Sequence, residues 1–319
     1  MIRCLDWRDA PAALVARLYD GEIGRWGSRL HWDTRPLWPR VETARRAGSL
    51  PGFIAVDGRG AIVGWTFFLV RGDSLQIGGL VAASGGVTEC LLDAILESDD
   101  ASAASDAMLF AFGGAPGLDE QLERHRFTAE PYHYLERPLG GTPPSPRLGR
   151  PWDARDVRAA ARLLARTYTD VDPARPFARQ GRYVDWLDYT EQLVMTDGCG
   201  AFVPQASLVV PAREPARLDA AVLVTAVGPE TAHVAQVAVD PAAQGRGIGR
   251  GLLTEACRML EDSGFERLTL LVADHNRAAN ALYAKLGFRE TAAFVAAGRF
   301  QPRRFNSAAL ETGGARTFL

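Results

Sequence analysis

The apolar positions of the second half fall in short runs at 206–210, 218–227 and 233–239. Each run is closed by Gly, Pro or charged residues, a pattern that predicts three consecutive strands. After them the period changes: 247–263 and 277–286 read as helices, 267–272 and 289–295 as strands. Upstream, Asp153 suits the N-cap of an Ala-, Arg- and Leu-rich helix running to Tyr168, and a second helix is expected from Arg182 to about Thr196. The first half shows a shorter version of the same succession. Strands are expected at 53–56, 61–70 and 75–81, with Asp57-Gly58-Arg59-Gly60 and Arg71-Gly72-Asp73 as turns. A helix at 87–96, a strand at 108–112, a short helix near 118–124 and a strand at 132–135 follow.

The layout is mixed α/β, an α+β sheet protein, and the repeated order of elements suggests an internal duplication. Gly140-Gly141-Thr142-Pro143-Pro144-Ser145-Pro146 admits neither helix nor central strand. It divides the chain into 1–140, a linker at 141–146, and 147–319.

Composition narrows the partners. With 319 residues, 47% of them hydrophobic, there is material for two cores of about 150 residues each. A net charge of -2 argues against nucleic acid and anionic membrane as partners, and no apolar run approaches the ~20 residues that span a bilayer. The opening residues Met1 to Asp6 do not resemble a signal peptide. The expectation is a soluble cytoplasmic protein acting on a small molecule or polypeptide, with no nucleic-acid or membrane partner; oligomeric state is not legible. Cys4, Cys90, Cys199 and Cys257 are scattered without metal-ligand spacing, so no metal and no disulfide framework is expected. Lys285 is the only lysine, which removes most candidates for lysine chemistry.

The segment richest in chemistry is 237–253, which runs from a strand through Gly245, Gly247, Gly249 and Gly251 into a helix. Glycines let backbone amides converge on one concavity, and the first turn of the helix adds unpaired N–H groups and the positive end of its dipole. Such a cradle suits a pyrophosphate. A dinucleotide GxGxxG started at Gly245 would need glycine where Arg250 stands, and one started at Gly247 would need it at Leu252; no Gly-Lys pair exists for a Walker loop.

What fits is Gln-x-x-Gly-x-Gly, at Gln244, Gly247 and Gly249, which resembles the acetyl-CoA signature of the GNAT N-acetyltransferase superfamily. A second stretch, Asn276, Ala279, Tyr283, Gly287 and Phe288, resembles that family's Asn-x-x-Ala-x-x-x-Tyr-x-x-x-Gly-Phe. The resemblance implies tandem GNAT-like domains, the second carrying the coenzyme motif. It implies acetyl-CoA as co-substrate, with Val237, Ala238 and Val239 along its pantetheine and Gln244, Gly245, Arg246, Gly247, Ile248, Gly249 and Arg250 facing its phosphates. Asn276, Ala279 and Tyr283 lie near one helix face at spacings of three, four and seven, with Asn276 as N-cap.

The implied reaction is direct acetyl transfer to a small-molecule or peptide amine. Tyr283 would protonate the departing thiolate. For the base, His233 stands where several family members carry a carboxylate, and an imidazole titrates near neutrality. Glu230, Asp274 and His275 compete for that role, with Gln236 as an orienter of water or substrate. A longer acyl-CoA donor, or a non-catalytic acyl-CoA-binding module, fits the same motifs.

Acceptor recognition is expected from Tyr168, Tyr183, Trp186 and Tyr189, from Phe300, Arg303, Arg304 and Phe305, and from the Trp26, Trp32 and Trp38 region of the first half. The first half lacks both motifs, at 80–89 and 113–118, and is expected to be a degenerate copy.

Overall fold

The computed structural model describes residues 2–300 except 103, 145 and 197. Arg303, Arg304 and Phe305 lie outside the described residues. The first half runs β1 (Arg3–Asp6), α1 (Ala12–Leu30), α2 (Trp38–Arg46), β2 (Gly52–Val56), β3 (Ile62–Arg71), β4 (Ser74–Ala82), α3 (Gly85–Leu96), β5 (Asp106–Phe112), α4 (Leu118–Arg124) and β6 (Thr128–Pro138). The second runs β7 (Arg150–Pro151), α5 (Val157–Thr167), α6 (Tyr183–Met195), β8 (Ala201–Phe202), β9 (Leu208–Pro211), β10 (Leu218–Ala226) and β11 (Thr231–Val239). It continues through α7 (Ile248–Asp262), β12 (Arg267–Ala273), α8 (Arg277–Lys285) and β13 (Arg289–Phe300).

The strands join in one thirteen-stranded mixed sheet, ordered β1-β2-β3-β4-β5-β13-β6-β12-β11-β10-β9-β7, with β8 paired to β10. Its centre is an exchange. β13, from the second half, lies antiparallel between β5 and β6, while β6, from the first half, lies antiparallel between β13 and β12. Each half thereby receives the last strand of the other. The residues at the crossing are large and apolar: Tyr134 and Phe294 are fully buried with Leu30 and Phe112 around them. Burial of each such side chain contributes about 1.5–3 kcal/mol, which favours holding the halves together.

Helices cover both faces. α3 and α4 pack on the first half and α7 and α8 on the second, while α1 and α2, then α5 and α6, cover the opposite face. Helix α1, not among the expected elements, carries Gly21, Gly24 and Gly27, and Val15, Tyr19, Ile23, Trp26 and Leu30 form its inward stripe. A Cβ at any of those three glycines would meet nothing within 4 Å.

The loop at 168–182, between α5 and α6, crosses β13 and reaches the first half. There the buried Arg179 guanidinium donates to Ala107 O at 3.1 Å, Ser74 Oγ at 3.1 Å and the Asp106 carboxylate. Gly298 in β13 passes directly beneath Pro173 O, where a Cβ would collide with backbone.

Candidate active site

β11 carries the site because it leaves its neighbour. It pairs in parallel with β12 only from Thr231↔Arg267 to Val234↔Leu270. On its other side the register with β10 slips between Leu223 and Val224, which leaves Ala235 as the extra, bulged residue. A bulge turns the strand and stops the pairing. From Ala235 to Val239 the edge towards β12 has no strand partner, and a slender chain of amides can lie in that opening. The carbonyls of Val237 and Val239 meet side chains instead: Tyr168 Oη donates to the first at 3.4 Å and Gln244 Nε2 to the second at 3.1 Å.

The strand ends in an anchored loop. Asp240 is buried, caps the turn at Ala242 and receives Arg166 Nε at 2.8 Å and Arg217 Nη2 at 3.1 Å. Burial alone would raise its pKa, but the Ala242 N–H and the two arginines outweigh that and hold it below the usual value. Gly245 and Gly247 both have φ of +77°, a conformation that side chains other than glycine rarely adopt, and Gly247 is the N-cap of α7. Gly249 serves a close approach instead, since a Cβ there would sit 3.3 Å from Val239 Cγ2 where α7 crosses the strand. The first-turn N–H groups of α7, which have no intrahelical carbonyl to pair with, stand at the end of this strand. Arg246 and Arg250 are exposed beside them, while Ile248 is half-buried. Gln244 is exposed, and its Nε2 donates back to Val239 O, which ties the loop to β11.

α8 forms the other wall. Asn276 is its N-cap and accepts from Ala279 N at 3.2 Å, as the spacing implied. The preceding turn is fixed by His133, whose Nε2 lies 2.9 Å from Asp274 while its Nδ1 faces Glu290 at 3.1 Å. Ala279 packs on the core and Tyr283 is almost fully enclosed, edge-on to Phe288 at 5.7 Å. Burial drives the Tyr283 phenol pKa above its ordinary value, so the hydroxyl keeps its proton.

His233 differs from expectation. Its ring is buried, with Trp32 of the first half at 5.2 Å and Tyr134 stacked at 6.0 Å, and desolvation drops its pKa from 6.5 to about 4. It is a neutral imidazole, not one titrating near pH 7. Trp32 is held there because Asp33 N donates to Val227 O at 2.7 Å, tying the end of α1 to the β10–β11 turn. The competitors divide. Glu230 sits in that turn beside Arg267, at the end of β11 away from the opening. Asp274 is engaged by His133 and His275 by Glu130 at 2.7 Å, while Gln236 Nε2 reaches Tyr189 Oη at 3.3 Å.

His233 to Val237 of β11, with His275, Asn276 and Tyr283, border one cleft of about 1560 Å³ that extends to Trp26, Phe110 and Phe112 in the first half. Of the aromatics expected around an acceptor, Tyr168, Tyr189, Trp26, Trp32 and Phe300 line it. Trp186 is instead a fully buried core residue against Tyr168, and Arg162 covers Tyr183. Tyr132, Tyr134, Thr269 and Arg175, absent from the sequence expectations, complete the surroundings. Only the strand exchange, which no local pattern announces, brings the residues of β6 here.

The first half repeats the opening but closes the cradle. β4 and β5 pair in parallel only from Ser74↔Asp106 to Ile77↔Leu109, and the register with β3 slips at Gly78. Yet the 113–117 loop presses on the start of α3: a Cβ on Gly117 would lie 3.0 Å from Gly85 Cα, and Thr88 Oγ1 donates to Pro116 O at 2.7 Å. No group of three or more His, Cys, Asp or Glu placed to hold a metal occurs among the described residues, and no helix there is long and apolar enough to cross a membrane.

Residues 157–288 match the family described as Acetyltransferase (GNAT) family. The chain is 33% identical to a mycothiol acetyltransferase of Gordonia bronchialis over 213 residues, 63% of this chain and 65% of that protein. It is 28% identical to a mycothiol acetyltransferase of Geodermatophilus obscurus, over 82% of this chain and 87% of that protein. Among solved structures it resembles a GCN5-related N-acetyltransferase from Sphaerobacter thermophilus, at TM-score 0.59 and 17% identity over 79% and 81% of the two chains. It also resembles a tandem GNAT protein from the clavulanic acid biosynthesis pathway, at TM-score 0.50 and 14% identity over 79% and 82%. The chain thus spans just under two thirds of the length of the first of these relatives. Residues 157–288 thus match the GNAT acetyltransferase family, and the fold of the chain resembles that of a tandem GNAT protein.

Proposed function

We propose that the chain transfers the acetyl group of acetyl-CoA directly to a primary amine held in the cleft between its halves. The observation that carries this is the opening of β11 from β12 beside the glycine amides at the start of α7, with a protonated phenol on the facing helix. Acetyl-CoA supplies an activated acyl group and a thiolate leaving group. Val237, Ala238 and Val239 align its pantetheine through their backbone, and residues 244–250 hold its phosphates with Arg246 and Arg250 adding charge. Tyr283 Oη gives its proton to the leaving sulfur.

His233 takes the proton of the attacking nitrogen. With its pKa near 4 it cannot deprotonate an ordinary ammonium efficiently, so the acceptor enters as free amine. The amine then loses its proton to imidazole only as bond formation makes that proton acidic.

The rest of the acceptor lies against the first half, where Trp26, Phe110 and Phe112 offer apolar surface. Arg25, Thr34 and Asp106 line the cleft as well, and among the described residues Arg25 Nε, Thr34 Oγ1 and Asp106 Oδ1 make no hydrogen bond. They favour an acceptor with polar groups remote from its amine. Incubation with acetyl-CoA and a panel of polyamines, amino acids, aminoglycosides, peptides and the acceptor of the mycothiol acetyltransferases tests the proposal through release of CoA thiol. Acetylation of at least one amine is expected; binding without release throughout the panel would contradict it. That second outcome is the one favoured by a reading as an acyl-CoA-binding module, which draws on the weak basicity of His233. Propionyl- and succinyl-CoA in the same assay define the acyl preference.

A further inference from the structure

The proton inventory around Thr269 carries one more step, which rests on His233 as the proton acceptor. Thr269 is fully buried on β12, directly across the parallel ladder from His233, and its Oγ1 lies 2.9 Å from His233 Nδ1. A threonine hydroxyl has one proton to donate. Here that proton is directed to Ala232 O at 3.1 Å, a backbone carbonyl. Tyr134 Oη, whose own proton goes to Leu30 O at 2.9 Å, offers Thr269 a second acceptor and no donor. With its proton spent in either way, Thr269 can only accept from the ring. That arrangement would place the hydrogen of the neutral imidazole on Nδ1 and leave the lone pair on Nε2. Among the described residues Nε2 has no hydrogen-bond partner, and His233 lines the cleft. The nearest charged group on that face of β6, Glu136, is turned to His31 at 3.5 Å and does not compete for the ring.

We infer that Thr269 is a positioning residue for catalysis: it locks His233 in the Nδ1–H tautomer, so that Nε2 faces the acceptor nitrogen ready to receive its proton. The other tautomer would point an N–H at the incoming amine and block transfer. Thr269 touches no reacting atom; it acts through the ring.

The test compares the wild type with Thr269→Val and Thr269→Ser, reading the His233 ring nitrogens by 15N NMR, with the resonances assigned by their loss in His233→Asn. The wild type is expected to show a protonated Nδ1 and an unprotonated Nε2. Thr269→Val should shift population to the Nε2–H form and lower kcat about tenfold or more, with KM for acetyl-CoA and acceptor changed less than about twofold. Thr269→Ser, which keeps the acceptor oxygen, should return both tautomer and kcat. An Nε2–H tautomer in the wild type, or an unchanged kcat and tautomer in Thr269→Val, would overturn the inference. Wild-type turnover by His233→Asn would instead remove His233 as proton acceptor, whichever tautomer the spectra report.

Discussion

Replacing His233 by Asn converts the enclosure of the imidazole into a measurable free energy. Asn keeps an N–H donor near the position of Nδ1 but cannot titrate. In the wild type the folded-state pKa of about 4 against an ordinary 6.5 means that, between those values, the unfolded chain binds a proton that the folded chain refuses. Stability then rises with pH, at most by about 1.4 kcal/mol per unit, and the contribution is intact above 6.5 and lost as pH falls towards 4. Over the whole window the term amounts to about 3 kcal/mol. His133 has the opposite sign: the Asp274 carboxylate, with help from Glu290, raises its pKa, so its contribution is present at low pH and lost as pH rises through the folded value. That term is common to both proteins and cancels in their difference. The assay is urea unfolding of wild type and His233→Asn at a series of pH values from 4.5 to 7.5. Relative to the variant, the wild type should lose about 2–3 kcal/mol of stability across the series. Parallel stability curves would show that the ring is hydrated and titrates normally, and the enclosure by Trp32 and Tyr134 would not hold.

Other outcomes follow from the same geometry. Trp32→Ala should let water reach the ring and raise the His233 titration midpoint from about 4 towards 6.5, followed by NMR. Tyr283→Phe should retain acetyl-CoA affinity and cut turnover by about 10²-fold, read from CoA release; equal turnover would remove the phenol from the mechanism. Trp26→Ala should raise KM for the acceptor and leave acetyl-CoA affinity unaltered, since it lines the cleft at the first-half end. Gly298→Ala should cost about 1–3 kcal/mol by forcing β13 away from Pro173, seen as a lowered thermal midpoint; an unchanged midpoint would mean the 168–182 loop does not bear on the exchanged strand.

Much of this fold was legible because its elements are local. The bounds expected for the strands of the second half, and for α7 and α8, differ from the observed ones by a few residues, since hydrophobic period and the flanking glycines fix them. The cradle was legible for the same reason: Gln244 through Arg250 and Asn276 through Tyr283 are each one loop or helix turn. What was not legible depends on partners distant in sequence. β6 and β13 look like ordinary final strands, and nothing in either says that each completes the other half. The enclosure of His233 arises from Trp32, some 200 residues earlier, and from Tyr134 on the exchanged strand. A histidine on an apolar strand reads as a neutral-pH base until those two rings are placed over it.

The seating of acetyl-CoA in the second half alone is tested most directly by calorimetric titration of the whole chain with acetyl-CoA, for wild type and Gly247→Val. The wild type should bind one molecule per chain, because the start of α3 is closed by the 113–117 loop while that of α7 is open. A β-branched residue at the φ of +77° costs about 1–2 kcal/mol or displaces the amides, so the variant should bind at least about tenfold more weakly. Two molecules per chain, or equal affinity in the variant, would contradict the placement of the coenzyme between β11, β12 and α7.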